Sequence, residues 1–367
     1  MKLFTKHCGY IQRLIIPLAI LIISENVLGQ DTFYKRGLTD HFTQWLGQNK
    51  NYYPYHFNRT DFFGGSFGGK EDDSTQITRR PVIFIHGAAD QIIGEEWANN
   101  GFRYSIEYFL EHGYSKAELY GSMWGYNDLD YEHNLIHDVE WILQIRKFIE
   151  AVLEYTGAEQ VDIICHSMGV TLSRGAIKGG FYDISKNQPV YVGEPLTKRV
   201  RSYIAIAGGN YGVTFCIMQV YNQNYRLCNK ENGLYPGSKD SNGPYPKDIS
   251  RYLKRLLDDP TREAQHTYAM YSLYDQTNPT DYVFSRLTSE YPTMDKSIVF
   301  GSPQEYDHCQ SRDLTADIQY ALINDQPIPN SDKYIIRVNE HAKNQSDNNT
   351  IEINGKISTE QVQNFLI

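Results

Sequence analysis

Short apolar runs that stop at turn-forming residues alternate with amphipathic stretches from residue 81 onward. That alternation constrains the fold more than any other feature of the chain. Val82-Ile-Phe-Ile85 ends in His86-Gly87, and Ala117-Glu-Leu-Tyr120, Val161-Asp-Ile-Ile-Cys165, Ser202-Tyr-Ile-Ala-Ile-Ala207 and residues 267–274 and 297–300 read the same way. Continuous apolar runs of this length are how strands buried on both faces are written. Between them, residues 95–112 have helical spacing with Trp97, Phe102, Ile106 and Phe109 inward. Residues 133–155 place Ile136, Val139, Leu143, Ile145, Phe148, Ile149 and Leu153 on one side, and further helices are expected over 168–178 and 314–323. Strands and helices in alternation predict an α/β domain with a mostly parallel, doubly wound sheet over 81–327.

Three stretches break the rhythm. Residues 1–29 read as a signal peptide: Lys2, Lys6 and Arg13 precede an apolar run over 14–23, then polar Ser24-Glu25-Asn26 and modest residues up to Gly29. That run is far short of the roughly 20 residues a bilayer span needs, so a secreted, extracellular protein with no transmembrane segment in its mature chain is expected. Residues 30–80 are polar and aromatic with a glycine-rich piece at 64–69, and read as an extended N-terminal wrap. Residues 208–250, rich in Gly, Asn, Tyr and Pro, are too long for an ordinary connection and read as a lid-like insertion or binding wall. Residues 328–367 form a polar tail with one short strand signal at 334–338.

An oxidising destination bears on the cysteines. Cys8 would leave with the signal, so Cys165, Cys216, Cys228 and Cys309 remain, and four cysteines permit three connectivities. A Cys216–Cys228 bridge would staple a stretch with little core of its own. Cys165 and Cys309 either pair or stay as buried thiols. Asn58, Asn344 and Asn348 head glycosylation sequons.

The chemistry concentrates at Cys165-His166-Ser167-Met168-Gly169, which follows an apolar strand and opens a helix. A serine there sits on a tight strand-to-helix turn, its hydroxyl projecting from the carboxyl end of the sheet. Its general base and orienting acid should lie after later strands. Asp275 closes the 267–274 run, with Asp281 as the competing acid, and His308 lies in a loop beyond 297–300, with His341 a weaker rival in the tail. Oxyanion donors would be the amides of Ala88, in the loop after the first sheet strand, and Met168, which follows the serine. A thiol nucleophile at Cys165 is disfavoured, since its side chain would face the sheet interior. His133 and His137, four apart, have no third metal ligand in sight, and no phosphate-loop or dinucleotide fingerprint follows a strand. No cofactor is implied. The formal charge of −9 argues against a nucleic-acid partner.

In order along the chain, Val82-Ile-Phe-Ile-His-Gly, the Cys-His-Ser-Met-Gly turn, Met270-Tyr-Ser-Leu-Tyr-Asp275 and Asp307-His308 resemble the motifs of class 2 triacylglycerol lipases over about residues 80–325. This group includes small bacterial esterase/lipases and secreted nematode lipases. The tyrosine-rich insertion, the signal peptide and the cysteine pattern look closest to the nematode-type branch. The resemblance implies an α/β-hydrolase fold, hydrolysis of carboxylic esters, Ser167, Asp275 and His308 as the triad, and oxyanion roles for Ala88 and Met168. It implies a lipid ester substrate and transient contact with a lipid interface. The sequence departs from the pattern where Cys165 stands in place of the usual glycine, and the small bacterial members lack the insertion. A carboxylesterase, a phospholipase, or a catalytically silent secreted relative that binds lipid or protein are the other readings.

Overall fold

The computed structural model describes residues 35–95, 100–182, 188–239, 243–278 and 281–339. The signal-like segment, Trp97, Asn344, Asn348 and His341 lie outside these residues. In chain order the elements are β1 (Gly37–Leu38), α1 (Asp40–Gln48), β2 (Ser66–Gly68), β3 (Val82–Ile85), α2 (Arg103–Glu111), β4 (Leu119–Ser122), α3 (Val139–Thr156), β5 (Val161–His166), α4 (Met168–Lys178), a β6–β7 hairpin (Phe181–Tyr182, Val190–Tyr191), β8 (Val200–Ile206), α5 (Gln219–Asn224), α6 (Arg251–Asp258), β9 (His266–Ser272), a β10–β11 hairpin (Tyr282–Val283, Arg286–Leu287), β12 (Lys296–Phe300), α7 (Gln310–Asp313), α8 (Ala316–Ile323) and β13 (Ile335–Val338).

Nine strands form one sheet in the order β1-β2-β4-β3-β5-β8-β9-β12-β13. The six from β4 to β12 are mutually parallel, as the alternation predicted. Both faces are buried. Ile83, Ile163, Tyr203 and Ala205 pack into one apolar cluster with α3 and α4, while Phe84, Ile164, Ile204 and Ile298 pack into another with α2 and α8. Because every core strand runs the same way, the loops that follow β3, β5, β9 and β12 gather at one rim.

Several boundaries differ from the sequence reading. The helix expected over 133–155 starts at Val139, because the Asp138 side chain accepts from the Glu140 amide and caps it there. His137 is drawn off the helix, its Nδ1–H donating to Asn232 O at 2.8 Å and its Nε2 accepting from the Thr171 hydroxyl at 2.6 Å. With both ring nitrogens spent, His137 cannot act with His133 as a metal-ligand pair. The helix expected from residue 95 begins at Arg103. Gly101 has φ +56°, and a Cβ there would lie 2.1 Å from Gln91 O. The segment expected as an extended wrap instead carries α1 and adds β1 and β2 to the sheet, while the tail adds β13 antiparallel to β12. Among the described residues no helix is long and apolar enough to cross a membrane.

Residues 208–250 are folded against the body. The Cys216–Cys228 disulfide closes across a Cα–Cα distance of 5.1 Å, as expected. Leu227, Leu234 and Tyr235 are buried in the main core, and Ser250 N donates to Tyr235 O at 2.9 Å. The Cys165–Cys309 pairing does not form. Cys165 is a free, buried thiol whose Sγ–H donates to Ile204 O at 3.3 Å. Asn58 is half-buried, its side-chain oxygen accepts from the Leu38 amide, and the Ser66 hydroxyl donates to its backbone carbonyl.

Candidate active site

Ser167 sits where β5 turns into α4 and holds φ 53°, ψ −129°. Ala89 after β3 and Ala207 after β8 also have positive φ, at 51° and 50°. Non-glycine residues in this region are uncommon, and they cluster where a fold over-determines the backbone for function. The elbow is tight in a second sense. A Cβ on Gly169 would lie 2.2 Å from His86 O, and one on Gly87 would lie 2.9 Å from Ser167 Cβ. The loop after β3 therefore runs directly against the serine, and glycine at both positions permits it. Cys165, where the pattern has glycine, is accommodated because its side chain points down into the sheet, and burial pushes its thiol up to about 12.

The expected base and acid meet. His308 Nδ1–H donates to Asp275 Oδ2 at 2.6 Å, and the other carboxylate oxygen of Asp275 accepts from Thr277 N at 2.8 Å. With Nδ1 so fixed, Nε2 of His308 is left to take a proton. Asp281, the competing acid, is spent elsewhere: its carboxylate accepts from the hydroxyl and amide of Ser289. His166, next to Ser167, donates from Nε2 to His308 O at 3.0 Å, and the two rings lie 4.7 Å apart. Among the described residues no hydrogen bond joins Ser167 Oγ to His308. Rotation about the serine Cα–Cβ bond re-aims the hydroxyl without moving the backbone, and such bonds commonly tighten only when substrate is bound.

Three imidazoles crowd this rim, and their environments separate them. Burial pushes His86 down to about 3 and His166 well below its ordinary value. His86 stacks on Trp124 with ring centres 5.0 Å apart, accepts the Trp124 amide at Nε2 and donates from Nδ1 to Gly87 O. Burial also opposes charge on His308, but the charge and hydrogen bond of Asp275 outweigh it, so His308 is held above the usual histidine value. Of the three, His308 alone can take a proton near neutrality.

For the oxyanion, the Met168 amide is the first N–H of α4 and has no carbonyl behind it in its own helix. Ala88 lies one residue past the glycine that touches Ser167. Three neighbours escaped the sequence reading. His166 flanks the serine, and a polar residue beside a nucleophile was a usable signal. Arg312 follows His308 by one helical turn, which was also visible. Glu132 was not, because only folding brings residues 132–134 over the site. Desolvation pushes its carboxyl up to about 7, with His308 pulling it the other way.

The class 2 lipase family model matches residues 79–321, well over half of the 367 residues. Among solved structures, lipase B of Aspergillus fumigatus is 13% identical with a TM-score of 0.41, over 73% of this chain and 58% of that one. The Bacillus licheniformis lipase BlEst2 is 15% identical with a TM-score of 0.41, over 71% of this chain and 98% of that one. Naproxen esterase of Bacillus subtilis is 12% identical with a TM-score of 0.36, over 74% and 88%. These likenesses are loose ones. The parallel core, the serine turn after β5 and the matched stretch that spans them agree, and the chain belongs to the class 2 lipase family, with an α/β-hydrolase fold.

Proposed function

We propose that this chain is an exported triacylglycerol lipase of the nematode-type branch that works through an acyl-enzyme on Ser167. The hydrolysis of carboxylic esters comes with the family. The observation that carries the acyl-enzyme is the Asp275–His308 bond on the same rim as a serine held at positive φ. In this mechanism His308 Nε2 takes the Ser167 proton as Oγ attacks the ester carbonyl. The amides of Ala88 and Met168 receive the oxyanion, each worth on the order of 3 kcal/mol in the transition state. His308 then protonates the leaving alcohol, and water releases the acid by the reverse sequence. Asp275 holds the imidazole in the tautomer this needs.

A lipid rather than a small soluble ester is favoured by the insertion. Ile217, Met218 and Val220 are exposed there, beside the disulfide. Thr214 N donates to Asn278, three residues past Asp275, so this apolar edge starts at the rim. Export rests on the signal-like residues 1–29 and on the disulfide, a bond that persists in oxidising compartments.

A fluorophosphonate probe and a panel of triglycerides and soluble esters of graded length test the reading with wild type and Ser167→Ala. We expect labelling and turnover to vanish together in the variant, and wild-type activity to be highest on long-chain, aggregated substrate. Labelling that survives the substitution would refute the nucleophile. A preference for short soluble esters, or for phospholipid, would replace lipase by carboxylesterase or phospholipase. A wild type that neither labels nor turns over would leave a silent binding relative.

A further inference from the structure

A buried ion pair ties together two loops that the mechanism uses separately. Arg312 lies in α7, one turn after His308, and Asp90 lies two residues after Ala88. The Arg312 guanidinium is fully buried. Its Nη1 donates to Asp90 Oδ2 at 2.5 Å, its Nε to Asp313 Oδ1 at 2.7 Å, and its Nη2 to Asn100 Oδ1. The other oxygen of Asp90 accepts from the amides of Gln91 and Gly101, at 2.8 and 3.1 Å. Asn100 closes the ring by donating to Asp313 at 2.9 Å. Every arm of the fork is used.

Such a pair is an expensive way to hold two loops. Desolvating a cation and a carboxylate consumes most of what their attraction returns, and apolar residues of similar size would serve stability as well or better. Its distinctive property is geometric, because a planar fork fixes both distance and angle between the elements it joins. The elements here are the loop that offers the Ala88 amide and the helix that follows His308. The His166–His308 bond secures the loop that carries His308 from the elbow side.

We propose that Arg312 is a positioning residue, and that its bond to Asp90 sets the spacing between the oxyanion donor on the β3 loop and the base on the β12 loop. This rests on the assignment of Ser167, His308 and Ala88 above. Arg312 also acts on His308 through its charge, which disfavours the imidazolium. The other charged or titratable groups facing His308 are Asp275, Asp307, Glu132 and His166.

The test compares wild type, Arg312→Lys, Arg312→Met and Asp90→Asn on a soluble ester, reading kcat and KM separately across pH, with thermal melts and fluorophosphonate labelling alongside. Misplacing a catalytic group by an ångström can cost about a hundredfold. We expect kcat to fall by about that factor in both Arg312 variants while KM stays within a few-fold, because the Michaelis contacts are not touched. Arg312→Met should raise the acid limb of the pH profile, and Arg312→Lys should leave it in place, which separates fork from charge. The Asp90→Asn/Arg312→Met pair should be no slower than the worse single variant. Should Arg312→Met not fold, Arg312→Lys and Asp90→Asn carry the test.

Folded variants with kcat within twofold of wild type would overturn the proposal. So would losses that track melting temperature alone, or an additive double variant. Wild-type labelling that persists in Ser167→Ala would instead overturn the assignment beneath it, an outcome readable without any Arg312 variant.

Discussion

The rim that carries Ser167 and His308 and the insertion that walls it are held by different means. The rim is held by its own backbone: positive φ at Ala89, Ser167 and Ala207, and contacts at Gly87 and Gly169 that leave no room for a Cβ. The insertion is held by one internal cross-link, by a few side chains sunk in the main core and by bonds to distant partners. Asn210 donates to Ser289 O, Thr214 N to Asn278, and His137 to Asn232 O, while Ile217, Met218 and Val220 face solvent. Groups that must meet a transition state need their positions written into the turn itself. The insertion, proposed above as the edge that meets lipid, can be a separate piece tied on.

The largest expected effects fall on the rim. Ser167→Ala should lower kcat by a factor on the order of 10⁶, and Asp275→Asn by about 10⁴ through the wrong histidine tautomer, both with unchanged circular dichroism. A comparable loss of kcat from any substitution confined to residues 214–224 would erase the distinction between rim and wall.

Acidification should next strain the rim, through His86 and His166, and one tie of the insertion, through His137. His86 and His137 are held at about 3 and 4 by burial, and His166 lies well below its usual value. An unfolded chain takes up those protons near pH 6.5. The stabilisation from keeping them neutral is therefore complete above pH 6.5 and shrinks as pH falls toward 4, by roughly 1 kcal/mol per pH unit for each histidine. Below pH 6.5 His308, shifted upward, is protonated folded or unfolded and offsets none of this, whereas the buried carboxyls of Glu132 and Asp162, held up at about 7 and 6, gain stability as pH falls and offset part of it. The change in urea midpoint between pH 7 and 5 should therefore be compared with that of His137→Gln, which should lose less stability on acidification than wild type; an identical change in the two proteins would contradict the burial of that ring.

The wall gives a smaller effect of another kind. Opening Cys216–Cys228 by paired Cys→Ser substitution should cost about 3 kcal/mol, the loop-closure value for a bridge of this span. A thermal melt reads the loss, and kcat on a soluble short ester should change less than threefold. The smallest expected effect is at Glu132. Near neutrality its carboxylate favours a charged His308, so Glu132→Gln should move the acid limb of kcat/KM to lower pH by a fraction of a unit. A shift the other way would mean the carboxyl does not face that imidazole.

The same division explains what was legible in the chain beforehand. The parallel core, the serine turn and the partners Asp275 and His308 are local signals, each a strand end followed by a short polar turn. Residues 133–138 misled because their apolar spacing looks helical. Asp138 as a cap, and the pull of Asn232 and Thr171 on His137, decide otherwise, and the two partners of His137 lie 95 and 34 positions away. The N-terminal segment misled in the opposite sense. Strands of two and three residues such as β1 and β2 are too short to show a period and exist because β4 offers an edge to pair with. Arg312 and Asp90 stand 222 positions apart, and nothing local joins them.

The strand supplied by the tail bears on how the enzyme can be trimmed. β13 covers the outer edge of β12 through four paired positions, yet it lies beyond the stretch that the family shares, which ends at 321. A shortened protein cut at that family boundary would keep every group needed for chemistry and lose its selvedge. The bare amides and carbonyls of β12 would then invite a second molecule to add its own strand, and such a product should precipitate or dimerise before it fails to react.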